Sequence, residues 1–248
     1  MFNYLGQFAR YCLFSSVYTL KTRNSLFYLC SLLLISLTMG CNPSSSVPIK
    51  TSALTVDTVE MVQQGIEKSR RGNYQGALKD FNQVIAENPQ DIHAYFNRGY
   101  AHSSLGQFEQ ALADFTIALK LDPQMVEAYV NRGNVYLQLG EDEKAIADYE
   151  KALEINPNDA FAQNNLGLAH LNSGSPGLAK IDFTEAVMID PLYGEAYYNR
   201  GLALLDLGER ENAIADFQKA ADIWEEMGEK IAAQTALAEI DTLKKASQ

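Results

Sequence analysis

Acidic residues are missing from the first 56 positions, since all 31 Asp and Glu lie from Asp57 onward. That leading stretch carries only basic charge, at Arg10, Lys21, Arg23 and Lys50. Cysteine is equally one-sided: Cys12, Cys30 and Cys41 are the only three, and all precede residue 57. The rest of the chain therefore closes no internal disulfide and offers no thiolate to a metal. Histidine is scarce as well, at His93, His102 and His170, with no second ligand at metal-site spacing, so no metal is expected. Packing is the role expected of His102 and His170. No Ser-His-Asp, Cys-His, paired-carboxylate or phosphate-loop arrangement is present, so no catalytic residue is assigned, no cofactor is expected and the chain does not read as an enzyme. From Asp57 on, acidic residues far outnumber basic ones. Such a surface repels phosphates, which argues against nucleic acid as a partner.

What the first 57 residues do contain is an address. Ser25 to Gly40 is an apolar run preceded by Lys21 and Arg23 and closed by Gly40-Cys41. It is shorter than the roughly 20 residues of a membrane span and suits the apolar core of a signal peptide. Leu37-Thr38-Met39-Gly40-Cys41 resembles a bacterial lipobox, displaced by one residue at its leucine, and this makes Cys41 the candidate lipidation site. Counted from near Leu20, the signal has ordinary length, which points to a start there. A lipoprotein, an uncleaved anchor, an ordinary cleaved signal and a cytosolic protein are the open readings, and each of the first three places the following residues outside the cytoplasm, in a bacterial cell envelope. Residues 1–41 are thus read as signal or anchor. Residues 42–57, rich in serine with Pro43 and Pro48, read as a flexible linker. It spans at most about 50 Å when extended.

From Thr58 to Met227 the chain repeats every 34 residues, five times without a gap: 58–91, 92–125, 126–159, 160–193 and 194–227. A glycine recurs at Gly65, Gly99, Gly133, Gly167 and Gly201, and a second at Gly72, Gly106, Gly140, Gly174 and Gly208. Between an alanine (Ala77, Ala111, Ala145, Ala179, Ala213) and the end of each unit stands an Asp-aromatic pair, such as Asp148-Tyr149. Pro89, Pro123, Pro157 and Pro191 close four units. In the third unit, Tyr129, Gly133 and Tyr136 share one face of a first helix. Leu139-Gly140-Glu141 makes the turn. A second helix then carries Ala145, Tyr149 and Ala152 until Pro157 stops it. Small Gly133 and Ala145 let the two helices close up, and Tyr149 fills the space beyond. In the fourth unit Ser175-Pro176 reads as a helix start with serine as cap. The fifth has Glu225 where the proline is due, so its second helix runs on through Trp224. Residues 228–248 then form an amphipathic helix, with Ile231, Ala233, Ala236, Leu237, Ile240 and Leu243 on one face, read as a cap for the last unit.

This pattern resembles the tetratricopeptide repeat (TPR) family. The resemblance implies an all-α fold, an α-solenoid of five helix-turn-helix repeats with a C-terminal capping helix, wound as a right-handed superhelix around a concave groove. It further implies that the second, fifth, sixth, ninth and twelfth positions of each first helix line that groove. The sixth is Gln63, then Asn97, Asn131, Asn165 and Asn199. A row of amides suits the backbone of an extended peptide, although the same asparagines could equally serve the solenoid itself. Phe96, Tyr100 and Tyr198 stand at neighbouring groove positions and would hold apolar anchors of that peptide. No Lys or Arg occupies the second, fifth, sixth or ninth position of any repeat, which excludes a carboxylate clamp. Arg98, Arg132 and Arg200, at the seventh position, are expected to pair with Asp114, Asp148 and Asp216. Repeats with Leu166 or Gln64 at that position lack this pairing.

The expected function is a membrane-tethered adaptor that binds other proteins in its groove. It is similar to bacterial TPR lipoproteins that help assemble envelope complexes. A self-associating array, hence a homo-oligomer, and a regulatory subunit of an envelope enzyme are the competing readings.

Overall fold

The computed structural model describes residues 56–245, and the signal segment, Cys41 and nearly all of the linker lie outside the described residues. Eleven helices occur there. The first helices of the five repeats are α1 (Val56–Arg70), α3 (Ile92–Ser104), α5 (Val126–Gln138), α7 (Ala160–Asn172) and α9 (Gly194–Asp206). The second helices are α2 (Tyr74–Glu87), α4 (Phe108–Leu121), α6 (Asp142–Ile155), α8 (Pro176–Ile189) and α10 (Arg210–Glu226), and α11 (Lys230–Lys245) follows.

Each pair turns on a glycine in the left-handed region, with φ between 72° and 77° at Gly72, Gly106, Gly140, Gly174, Gly208 and Gly228. The residue after each glycine donates its N–H back to a carbonyl in the preceding helix, as Glu141 does to Tyr136 at 2.9 Å and Glu209 to Leu204 at 2.8 Å. This satisfies carbonyls that the helix end leaves open. Gly228 repeats that turn at the end of α10, which explains why α11 folds back along it. Helix starts are more varied. Asp91 accepts from the Ala94 N–H at 2.9 Å, and Asp159 from those of Phe161 and Ala162. Ser175 departs from its expected role: it sits at the cap position before Pro176, but its hydroxyl makes no capping bond, and only its carbonyl enters the helix.

The two helices of a repeat touch along a line of small residues. Ala77, Ala111, Ala145, Ala179 and Ala213 are fully buried, as are Phe81, Phe115, Tyr149, Phe183 and Phe217. The mid-helix glycines make room for those rings. A β-carbon on Gly133 would lie 2.8 Å from Tyr149 Cε1, and one on Gly201 would lie 2.6 Å from Phe217 Cε1. Each second helix then packs on the first helix of the next repeat, and successive first helices also touch one another. The first helices thus form the inner layer of the curve and the second helices the outer one.

The C-terminal end is closed by an extension. α10 has 17 residues against 14 in the other second helices. The added turn brings in Trp224, which is buried with Leu204 and Phe217 on one side and Ala233, Ala236 and Ile240 of α11 on the other. Gly194 lies directly under the indole, where a β-carbon would meet Nε1 at 2.9 Å.

Candidate peptide groove

The inner layer positions the four asparagines, and it uses them in two ways. Asn97 and Asn131 each donate an amide N–H to the carbonyl four residues earlier on their own helix, His93 at 2.8 Å and Glu127 at 2.7 Å. Both side chains remain partly exposed, and an amide so engaged retains a second N–H and its carbonyl. Asn165 and Asn199 turn sideways. Asn165 donates to Asn134 Oδ1 at 2.9 Å, across the boundary between repeats three and four. Asn199 donates to Asn164 Oδ1 at 2.9 Å, across the next boundary. Asn164 donates to Asn165 Oδ1 at 3.3 Å, and the Tyr149 hydroxyl donates to Asn134 Oδ1 at 2.7 Å. The result is a continuous amide chain through repeats three to five, and Asn134, Asn164 and Asn165 are buried in it.

The aromatic positions divide similarly. Phe96 is partly exposed and leans on Phe115 with ring centroids 5.9 Å apart. Tyr100 is buried beside Tyr74. Tyr198 packs between Phe217 at 5.2 Å and Trp224 at 5.8 Å, beneath the end cap. Burial, with Glu239 of α11 nearby, raises the Tyr198 phenol above its ordinary value. At the fifth position Val62, Val130 and Asn164 are likewise buried between neighbouring helices. The partly exposed face is therefore narrower than the set of groove positions: Phe96, Asn97, Asn131, Tyr198 and Asn199 are partly exposed, Tyr100 and Asn165 are buried, and of the open amides only Asn97 and Asn131 make no bond to a neighbouring repeat. His93 and Glu127 border them.

Behind this face lies a set of ionic clamps. Arg98, Arg132 and Arg200 each grip an aspartate of their own second helix with two parallel hydrogen bonds of 2.7–2.8 Å, to Asp114, Asp148 and Asp216. The third arm of each guanidinium reaches the second helix of the preceding repeat, at Asn82, Thr116 and Thr184. Each also lies over a tyrosine ring, Tyr95, Tyr129 or Tyr197. The hydrogen bonds to aspartate hold all three arginines above their ordinary value despite burial. One clamp thus ties three helices together.

Sequence reasoning found these three pairs and missed their substitutes. Where Gln64 replaces the arginine, Lys68 reaches Asp80 at 2.8 Å from one helical turn further on. Where Leu166 replaces it, His170 Nδ1 meets Asp182 Oδ2 at 2.6 Å, and Gln163 donates to the other oxygen at 3.2 Å. His170 is accordingly a polar partner and not the packing residue expected. His102 is in the same place in repeat two and meets Gln107 at 2.6 Å. A basic side chain at either of two positions on the first helix was the signal available: every repeat has the aspartate, and every repeat has Arg, Lys or His at one of those two positions.

Among the described residues no cluster of His, Cys, Asp or Glu could hold a metal, and no helix is long and apolar enough to cross a membrane.

Five helix-turn-helix units, stacked inner helix to inner helix and sealed by a sixth turn, define a helical-repeat scaffold. The chain belongs to the tetratricopeptide repeat family. Sequence profiles described as "Tetratricopeptide repeat" match residues 62–103, 93–125, 162–191 and 194–226, and one described as "TPR repeat" matches residues 133–174. Solved structures agree. A crystal structure of MamA is 25% identical with a TM-score of 0.62, covering 66% of this chain and 96% of that one. MamA from Desulfovibrio magneticus RS-1 (residue 41 to the end) is 22% identical with a TM-score of 0.65, covering 70% and 98%. TTC0263, a thermophilic TPR protein of Thermus thermophilus, is 21% identical with a TM-score of 0.60, covering 73% and 99%. Among curated proteins no significant match was found. Family and fold together support a protein–protein interaction scaffold.

Proposed function

We propose that the chain is a membrane-tethered adaptor that holds extended peptide segments against the inner face of repeats two and three. The observation that carries this reading is the pair Asn97 and Asn131. They sit one repeat apart on adjacent inner helices, partly exposed, each with hydrogen-bonding capacity left after its bond to the helix backbone. Two amides at that spacing can address successive peptide groups of an extended strand, which needs donors and acceptors along its length. Phe96 beside them offers an apolar wall. The neighbouring Glu127 and the absence of Lys and Arg at the second, fifth, sixth and ninth positions favour a neutral or basic segment over an acidic one. Tethering rests on the basic-then-apolar segment ending at Cys41, and the envelope location rests on that tether.

The test is affinity capture from membranes with the full chain, run beside N97A/N131A and beside N199A. A partner lost with N97A/N131A and kept with N199A locates peptide binding at the open amides. A partner kept by both variants moves the binding surface elsewhere. Labelling with a radioactive fatty acid, compared between the native chain and C41S, checks the tether separately.

A further inference from the structure

The outer helix of repeat four differs from its counterparts on the side facing away from the solenoid. On α8, Leu178, Ile181 and Met188 are 50%, 58% and 68% exposed, and Leu192 in the turn beyond is 63% exposed. At the place of Ile181 the other repeats have Lys79 or alanine. At the place of Met188 they have Ala86, Lys120, Glu154 or Asp222. At the other two places they have only glycine or polar side chains. The opposite side of α8 is in the core, through Ala179, Phe183, Ala186 and Val187. A contiguous apolar row left exposed on a helix whose opposite side is already in the core marks a contact surface.

The spacing of the exposed row says what covers it. Positions 178, 181, 185 and 188 alternate by three and four along α8, the seam along which one helix pairs with another, and Leu192 extends the row into the turn. Glu185 is its single charged member, and it is exposed. The structurally equivalent residues on the two flanking outer helices are lysines, Lys151 on α6 and Lys219 on α10. Lys151 is engaged by Glu154. Lys219 pairs with no acid among the described residues. The patch therefore carries its own complement: an apolar row with one negative charge, beside a positive charge one groove away.

We propose that this face is a homodimer contact, in which two copies pair about a two-fold axis running between their α8 helices. Each α8 lies in the shallow groove between the other copy's α8 and α10, where Ala215 gives low relief. Apolar row meets apolar row, and Glu185 of each copy meets the partner's Lys219. The four side chains present on the order of 400 Å² of apolar surface, the size that marks contact sites on otherwise polar proteins. Two such faces with their flanks reach the roughly 1,200 Å² total at which specific complexes begin. This contact uses the outer layer and leaves the inner face free, so it stands independently of the peptide reading.

The experiment is the mass of the full-length protein in detergent, by sedimentation across the accessible concentration range. The native chain is expected to be a dimer, and I181K/M188K a monomer. A113K changes the place of Ile181 in repeat two and should remain a dimer. E185K and K219E should each weaken the dimer by at least about tenfold, and E185K/K219E should restore it. All these positions are exposed or outward-facing, so unaltered thermal melting of each variant verifies that the fold is intact. A monomeric native chain, or a dimer that survives I181K/M188K, overturns the proposal. Failure of the double charge reversal to restore the dimer overturns the Glu185–Lys219 register. Capture of a different protein through α8 by a monomeric native chain overturns self-pairing in favour of that partner.

Discussion

Arg132 and Asp148 face each other through two parallel hydrogen bonds, Nε to Oδ2 at 2.8 Å and Nη2 to Oδ1 at 2.7 Å, and the remaining arm of the guanidinium crosses to Thr116 of the preceding repeat. The aspartate is almost wholly buried, so removing the arginine leaves a charge with no partner. R132A is expected to destabilise the array by about 3 kcal/mol, because an orphaned buried charge costs more than the pair gains. R132K keeps the charge and loses the fork, and should cost about 1–2 kcal/mol. R132A/D148A should recover much of the loss of R132A. Urea unfolding of the three variants beside the native protein measures this, and an R132A midpoint equal to the native one would show the clamp to be idle.

Two helical glycines should respond to alanine with opposite signs. At Gly133 the new methyl would press on the Tyr149 ring from 2.8 Å, in a core with no slack. Overpacking of this kind costs about 1–3 kcal/mol. At Gly177, in the first turn of α8, nothing lies within 4 Å of the new carbon. There the loss of unfolded-state freedom dominates and G177A should stabilise by about 0.5 kcal/mol. Thermal melting of both single variants decides it, and a loss of stability with G177A would contradict the account of the open site.

The same contrast explains what was legible in the sequence. The repeat marks are steric necessities that act within a single unit. Gly133 must admit Tyr149, and Gly140 must take a positive φ, so each recurs every 34 residues and can be read without coordinates. The amide chain is different. Asn165 and its acceptor Asn134 are 31 residues apart, and nothing in either residue says whether its side chain turns toward a ligand, its own backbone or the next repeat. Asn97 and Asn165 occupy one repeat position, yet one stays open and the other is buried, because repeat three supplies Asn134 where repeat one has Ile66. Tyr198 was equally ambiguous until the extension of α10 placed Trp224 over it. Phase in the repeat specifies the place of a side chain, and its neighbours in adjacent repeats specify its use.

Asp182 gives the pH behaviour of the array a definite sign. Burial raises its carboxyl above the ordinary value, and the hydrogen bonds from His170 and Gln163 oppose that shift without cancelling it. A carboxyl raised in the folded state binds its proton more tightly there than in the unfolded chain. Its contribution to stability therefore grows as pH falls through the raised value, the reverse of the usual salt-bridged aspartate. The stability of the native protein relative to D182N should shift in favour of the native form as pH is lowered from about 7 toward about 4, just above the ordinary carboxylate range. Parallel urea titrations at several pH values test this. A gap that narrows in the opposite direction would mean that the His170 bond outweighs burial.

Asn134 is where the amide chain can be tested most sharply. Its single carbonyl oxygen accepts both the Tyr149 hydroxyl at 2.7 Å and the Asn165 amide at 2.9 Å. N134A deprives two buried donors of that acceptor at once, and each donor left unmade costs about 1–3 kcal/mol. Y149F removes one donor and leaves the other pair intact, so it should cost about 1 kcal/mol or less. N97A sits on a partly exposed helix face and should fall within about 0.5 kcal/mol of the native protein. The order N134A, then Y149F, then N97A in decreasing loss of stability identifies the amides of repeats three to five as structural. Asn97 and Asn131, whose amide bonds stay within their own helices, lie outside that chain. Equal, small effects for all three would mean that water satisfies the buried donors, and the distinction between the two uses of asparagine would be lost.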